Sequence, residues 1–208
     1  MENYKFEDRY VDALSALGVV RSFPKNTILI HEGDRSDQLY VLLKGKLKVF
    51  LSDSDGKEII VDMLGPGQYF GEMALDGGAR SASVMTLEPA RLSVVEREQF
   101  KRFLADNADA ALSLIVTLIR RARNLTRAVG NLALLDVYGR VARLLLENAS
   151  DESGRLVVGV RMTQQEIAQR VGASREMVWR ILDDLREGKY IAIEDGRIVI
   201  QQPLPRRW

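Results

Sequence analysis

The chain has 208 residues, 46% hydrophobic and 28% charged, the length of one large or two modest domains and the balance of a soluble globular protein. It has no cysteine and a single histidine, His31, which excludes disulfides, thiolate zinc sites, cysteine-held iron–sulfur clusters and catalysis by a histidine dyad. The net charge of +1 hides an asymmetry: residues 1–108 carry 14 Lys and Arg against 17 Asp and Glu, residues 109–208 carry 16 against 12, and the basic half suits a polyanionic partner.

The acidic, polar start Met1-Glu2-Asn3-Tyr4-Lys5-Phe6-Glu7-Asp8 does not read as a signal peptide, and no run of 18 apolar residues reads as a membrane span. The expected location is the cytoplasm. From about residue 19 to 95 the pattern is strand-like. Leu47, Val49 and Leu51 alternate with Lys46, Lys48 and Phe50; Ile59, Val61 and Met63 with Glu58, Ile60 and Asp62; Ala82, Val84 and Thr86 with Ser81, Ser83 and Met85. Period-two alternation marks half-buried strands. Turns fall at Glu32-Gly33-Asp34, Lys44-Gly45, Asp55-Gly56 and Gly65-Pro66-Gly67, and Asp55-Gly56 between two such runs is a hairpin signal. Many short strands at this spacing predict a jelly roll or barrel. His31, beside Glu32 and Asp34, reads as a surface histidine, and no metal site is expected.

Residues 96–104 read as a short helix and 109–131 as a longer one. The longer helix carries a seam of Leu112, Ile115, Ile119, Ala122, Thr126 and Val129, with the alternating three- and four-residue spacing of a heptad repeat. A second stripe, Leu114, Leu118 and Leu125, lies beside it. Two apolar faces let one helix pack its own barrel and a second copy of the chain. Gly130-Asn131 reads as a hinge, Asp136 as the front of a helix reaching about Asn148, and 151–154 as a loop.

Residues 163–187 hold two helix starts close together. Thr163 and Glu166 form a capping-box pattern, Gly172 ends the first helix and Ser174 caps the second. Ile167, Val171, Val178, Ile181, Leu182 and Leu185 supply a shared core, with Ala168 small where the helices cross. The second helix exposes Arg175, Glu176, Trp179 and Arg180 on one face. A helix fits the major groove: arginine can grip guanine and glutamate can accept from cytosine. Thr163, Gln164 and Ser174, at the helix N-termini, suit phosphate. Tyr190–Ile193 and Arg197–Ile200 flank Glu194-Asp195-Gly196 as a hairpin, a wing.

With these residues in place the chain resembles the cyclic-AMP receptor protein (catabolite activator) family of bacterial transcription regulators, within the wider fumarate-nitrate regulator superfamily. The similarity runs from about Val20 to Ile200. It is carried by Leu29-Ile30-His31-Glu32-Gly33-Asp34, Val41 to Gly45, Gly56-Lys57-Glu58 and Gly71-Glu72, then Val129 to Val137, then Gln165-Glu166-Ile167, Val171-Gly172 and Ser174-Arg175-Glu176. The resemblance implies an α+β chain in three parts: a cyclic-nucleotide-binding jelly-roll barrel over 1–108, a dimerisation helix and hinge over 109–131, and a winged helix-turn-helix over 132–208. It implies a homodimer on double-stranded DNA, with Arg175, Glu176 and Arg180 reading a palindromic TGTGA-like site, and it names RNA polymerase as a candidate further partner. Met177 and Trp179 stand where the best-known member has smaller residues.

The segment 70–82 then reads as a phosphate site. Gly71 lets backbone approach a ligand, residues 72–75 can offer amides to an anion, Arg80 and Ser81 can bond phosphate oxygens, and Glu72 can accept from a ribose hydroxyl. Val49, Val61 and Met73 could wall the nucleotide. By the resemblance, Arg121 steadies Glu72, and Leu125 and Thr126 reach the base. Thr126 keeps a hydroxyl that Leu125 lacks. Cyclic AMP comes first as allosteric ligand, with cyclic GMP, cyclic di-GMP or a vestigial pocket with constitutive DNA binding as alternatives. No covalent cofactor is expected. There is no Walker loop or nucleophile–base set, so no catalytic residue is expected and the chain does not read as an enzyme.

Overall fold

The structure, a computed structural model, describes residues 8–205. The reading of residues 1–7 as no signal peptide therefore lies outside the described residues. The chain divides between Asn124 and Leu125 into two compact units.

The first unit begins with α1 (Asp8–Leu17), absent from the sequence reading, and continues through eight strands. These are β1 (Val19–Phe23), β2 (Ile28–Ile30), β3 (Gln38–Lys44), β4 (Leu47–Ser52), β5 (Glu58–Leu64), β6 (Tyr69–Phe70), β7 (Ser83–Thr86) and β8 (Ala90–Glu96), with a single 3-10 turn at Glu72–Leu75. They form two antiparallel four-stranded sheets, β1-β8-β3-β6 and β2-β7-β4-β5. Each early strand thus pairs with a late one, β1 with β8, β2 with β7 and β3 with β6, and β4 closes on β5. This nesting is the jelly roll the turn spacing predicts.

Strand β3 of the first sheet is buried on both faces. Tyr40 and Leu42 of β3 enter the core between the sheets with Leu47, Phe70, Val84 and Leu92. Leu39 and Val41, one residue out of phase, enter a second core with Leu14 of α1 and with Phe100, Phe103 and Leu114. A strand covered on both faces reads as a continuous apolar run, which is why Leu39–Leu43 shows no alternation. The β4–β5 hairpin turns at Asp55-Gly56 as expected, with the Asp53 carboxylate accepting from the amides of Asp55 (3.0 Å) and Lys57 (2.8 Å). The alternation expected along β4 is broken. A register shift between Val49 and Phe50 makes Val61 an extra residue on β5, and Lys48 and Phe50 are both buried. The Lys48 ammonium is stabilised there by Glu58 and by the Phe50 ring, 4.4 Å away.

Two helices follow, α2 (Arg97–Asp106) and α3 (Ala108–Leu134). Gly130-Asn131 does not interrupt α3; the helix runs through both and stops three residues later. A lone glycine costs a helix only about 1 kcal/mol against alanine, too little to end one this long. Ala110, Leu114 and Thr117 are its buried residues. The second apolar stripe is corrected accordingly: Leu114 is buried, whereas Leu118, at the edge of that row, and Leu125, past the end of the first unit, are exposed. Leu112, Ile115, Ile119 and Val129 of the heptad seam are exposed as well.

In the second unit α4 (Val137–Glu147) is capped by Asp136, whose carboxylate accepts from the Gly139 amide at 2.7 Å. Within the expected loop at 151–154, Asp151 and Glu152 instead end a strand and Ser153-Gly154 turns a hairpin, β9 (Ala149–Glu152) with β10 (Arg155–Val158). Ser153 and Gly154 both take positive φ, 57° and 81°, the requirement of a two-residue hairpin turn. Then come α5 (Gln164–Val171), α6 (Arg175–Glu187), β11 (Ile191–Glu194) and β12 (Arg197–Ile200). The wing hairpin β11–β12 joins β10 and β9 in a four-stranded sheet. Ion pairs bridge that sheet, Arg155 to Glu194 at 2.6 Å and Arg197 to Glu152 at 2.8 Å. Val141, Leu145, Ile167, Val178, Leu185 and Ile191 bind helices and sheet into one core.

Ser174 accepts from the Met177 amide at 3.2 Å, satisfying one of the orphan donors at the start of α6. Ser174→Ala is expected to lower stability by about 1 kcal/mol, read as a drop in the urea midpoint with an unchanged slope.

Candidate functional site

One cluster of candidate residues lies between β6 and β7. Gly71 ends β6 in the left-handed region, φ 83°. A side chain there would meet an Arg80 guanidinium nitrogen and the Gln38 carbonyl at 3.0 Å each, so the position needs glycine twice over. The following 3-10 turn places Glu72 and Met73. Glu72 forms an ion pair with Arg121 of α3 at 2.6 Å, and Arg121 also donates to the Tyr69 carbonyl at 2.7 Å. Burial is the largest single effect on Arg121 and opposes its charge, but the charge and hydrogen bond of Glu72 together with Tyr69 and Asp62 outweigh it and raise the guanidinium pKa. Burial pushes the Tyr69 hydroxyl up to about 12, although Arg121 pulls the other way.

Arg80 is 4% exposed. It donates to the Gly71 carbonyl (2.7 Å), the Gln38 carbonyl (2.5 Å) and the Ser36 hydroxyl (2.9 Å), all neutral groups. Among the described residues its buried Nε–H has no partner. Burial lowers its pKa, as expected for a cation removed from water. Ser81 donates to the Met73 sulfur at 2.9 Å. Arg80 and Ser81 are therefore tied into the protein, and an anion would have to compete for the same N–H and O–H groups. An orphaned donor on a buried cation is the chemistry that attracts an anion.

The structure thus links Gly71, Glu72, Met73, Arg80, Ser81 and Arg121. Val49, on β4, is half-buried, and Val61, at the bulge of β5, is exposed. Leu125 and Thr126 lie on α3 within the second unit, both exposed. Ser36 and Gln38, which hold Arg80, were missed by sequence reasoning. They lie 44 and 42 residues from it and meet it only once the barrel closes, so no local pattern could have marked them.

The second cluster is on α5 and α6. Thr163 caps α5 by accepting from the Glu166 amide at 3.1 Å, and the Glu166 carboxylate binds Arg170 at 2.7 Å. Gly172 closes α5 in the left-handed conformation, φ 65°. Val178, Ile181, Leu182 and Leu185 of α6 point into the core. Arg175, Glu176, Trp179 and Arg180 are exposed, and Arg180 pairs with Glu176 one turn earlier. Thr163 and Ser174 are exposed and Gln164 is half-buried. A helix, a tight glycine turn and a second helix with a polar outer face form a helix-turn-helix.

Residues 20–107 match the model of the cyclic nucleotide-binding domain, and residues 139–203 that of the Crp-like helix-turn-helix domain. The cAMP-activated global transcriptional regulator CRP of Pasteurella multocida is 37% identical over 186 residues, 87% of this chain and 89% of that protein. The chain belongs to the CRP/FNR family of transcription regulators. The CRP-like cAMP-activated regulator of Mycobacterium tuberculosis is 35% identical over 183 residues, 86% of this chain and 82% of that protein. The c-di-GMP-responsive regulator CLP of Xanthomonas campestris shares the fold, with a TM-score of 0.80 at 24% identity over 94% of this chain and 100% of that one. This CRP-family chain is accordingly a DNA-binding transcription regulator with a cyclic nucleotide-binding domain, and its family are regulators rather than enzymes. Among the described residues no helix is long and apolar enough to cross a membrane.

Proposed function

We propose that the chain is a cytoplasmic homodimer that binds a palindromic, TGTGA-like DNA site and is gated by a cyclic nucleotide, with cyclic AMP the first choice. The barrel (1–108) would sense, the long helix would dimerise, and the unit ending in the wing (132–208) would read DNA. The observation that carries the ligand half is Arg80, a buried guanidinium that donates to neutral groups and, among the described residues, holds an unpartnered N–H beside the Gly71 turn. The curated relatives named above, both called cAMP-activated, support the choice of nucleotide. The exposed seam of α3 supports the dimer.

Leu125 favours a second reading. It cannot hydrogen-bond an adenine amino group, and a bond of that kind is worth about 0.5–1.5 kcal/mol, up to about tenfold in affinity. Cyclic GMP or cyclic di-GMP would then take its place. Calorimetry with cyclic AMP, cyclic GMP and cyclic di-GMP separates the readings. Tightest binding of cyclic AMP supports the first, and binding of a guanine nucleotide alone supports the second. Heat from none of them refutes both and leaves constitutive DNA binding.

On the DNA side, Arg180 would leave Glu176 to grip a guanine. Arg180→Ala is expected to relax discrimination at one base pair by about 1–3 kcal/mol, measured by fluorescence anisotropy on singly substituted operators. Equal weakening on every sequence would make Arg180 a phosphate contact.

A further inference from the structure

Among the described residues, Trp179 packs into no part of the core. It is 49% exposed, and it belongs neither to the core of the second unit nor to the half-buried residues packed against that core. Four buried residues, Val178, Ile181, Leu182 and Leu185, fix which side of α6 faces inward. At about 100° of turn per residue, Glu176 and Arg180 lie nearly opposite that side. Trp179 stands beside them, one turn after Arg175 and in the same row. An indole left half in water among charged side chains forfeits the burial that makes tryptophan useful. The partner that covers it is the surface α6 docks on. That surface is the major groove, and the only apolar group a base pair offers there is the 5-methyl of thymine.

We propose that Trp179 is a specificity-determining residue that covers the 5-methyl of a thymine beside the base pairs read by Arg175, Glu176 and Arg180. The proposal rests on the docking of α6 in the major groove. It makes one position of each half-site selective for T·A through apolar contact, where the arginines select through hydrogen bonds. Its chemistry needs no donor or acceptor on the indole, so it predicts sensitivity to a methyl group and to nothing else at that position.

The test begins by selecting the preferred operator of the full-length protein from a randomised duplex pool. Each thymine of that operator is then replaced singly by uracil, which removes the methyl and leaves the pairing unchanged. Affinity is measured at fixed salt for the native protein, Trp179→Ala and Trp179→Phe, each checked for an unchanged melting temperature. The expected result is one symmetry-related pair of thymines at which uracil weakens native binding by about fourfold per half-site, the worth of one buried methyl. Trp179→Ala should bind thymine and uracil there alike, and Trp179→Phe should retain the preference. Indifference of the native protein to uracil at every position would overturn the proposal. So would an undiminished thymine preference in Trp179→Ala. Failure to select any sequence would overturn the groove docking beneath it, a distinguishable outcome.

Discussion

Ile119→Asp should yield a folded monomer whose operator affinity is lower by about a hundredfold or more. Ile119 lies at the middle of the α3 seam, with Leu112 and Ile115 before it and Val129 after it, all exposed within one chain. Exposed apolar residues at heptad spacing over nearly three heptads are the pattern of a helix that packs against its copy. A carboxylate at Ile119 would be buried in that interface, close to its symmetry mate, and a buried unpaired charge is costly. The substitution removes no contact from the barrel core, because Ala110, Leu114 and Thr117 supply the buried face of the helix. Loss of the second reader removes the gain of binding two half-sites at once, about 10² to 10⁴ in affinity. Sedimentation velocity and anisotropy would report the two effects separately. A dimer that survives the substitution would move the interface elsewhere.

Arg80→Met should destabilise the sensor unit and abolish nucleotide binding. Methionine fills the space but removes the three guanidinium bonds to the Gly71 and Gln38 carbonyls and the Ser36 hydroxyl, although Gly71 still accepts from the Ala74 amide and Ser36 from the Gln38 amide. A hydrogen bond contributes about 0.5–1.5 kcal/mol net, so losing three is expected to cost about 1.5–4.5 kcal/mol. Arg80→Lys keeps the charge but cannot bridge both carbonyls, because an ammonium lacks the planar fork. It should fall between methionine and the native protein in stability. Denaturant unfolding gives the stability term. Calorimetry on Arg80→Lys, which stays folded, gives the binding term even if Arg80→Met does not fold.

The parts legible in the sequence are those whose signals are local. Asp55-Gly56 specifies its hairpin, Thr163, Gly172 and Ser174 mark helix ends by side-chain and backbone chemistry, and the core positions of α5 and α6 follow helical spacing. Parts governed by tertiary context were not legible. The polar stretch 151–154 reads as a loop, yet Asp151 and Glu152 form a strand because β10 pairs with them and the wing extends the sheet. The burial of Lys48 depends on a bulge and on Glu58 from the neighbouring strand. Helix α1 had a readable signal in Tyr10, Val11 and Leu14 on one face, but the polar residues around them obscured it. In the candidate site, Glu72 and Arg80 are singled out by the sequence and Arg121 by the family resemblance, whereas the carbonyls and hydroxyl that hold Arg80 become visible only with the closed barrel.

A nucleotide bound in the barrel is expected to change how the wing-bearing unit binds DNA. The direct measurement is the operator dissociation constant of the native protein at fixed salt, with no nucleotide and then with saturating cyclic AMP, cyclic GMP and cyclic di-GMP. At least one nucleotide should shift the constant by about tenfold, a coupling of about 1.4 kcal/mol, and operator DNA should shift that nucleotide's affinity by the same factor. Equal operator affinity with every nucleotide, together with tight binding in their absence, would contradict it.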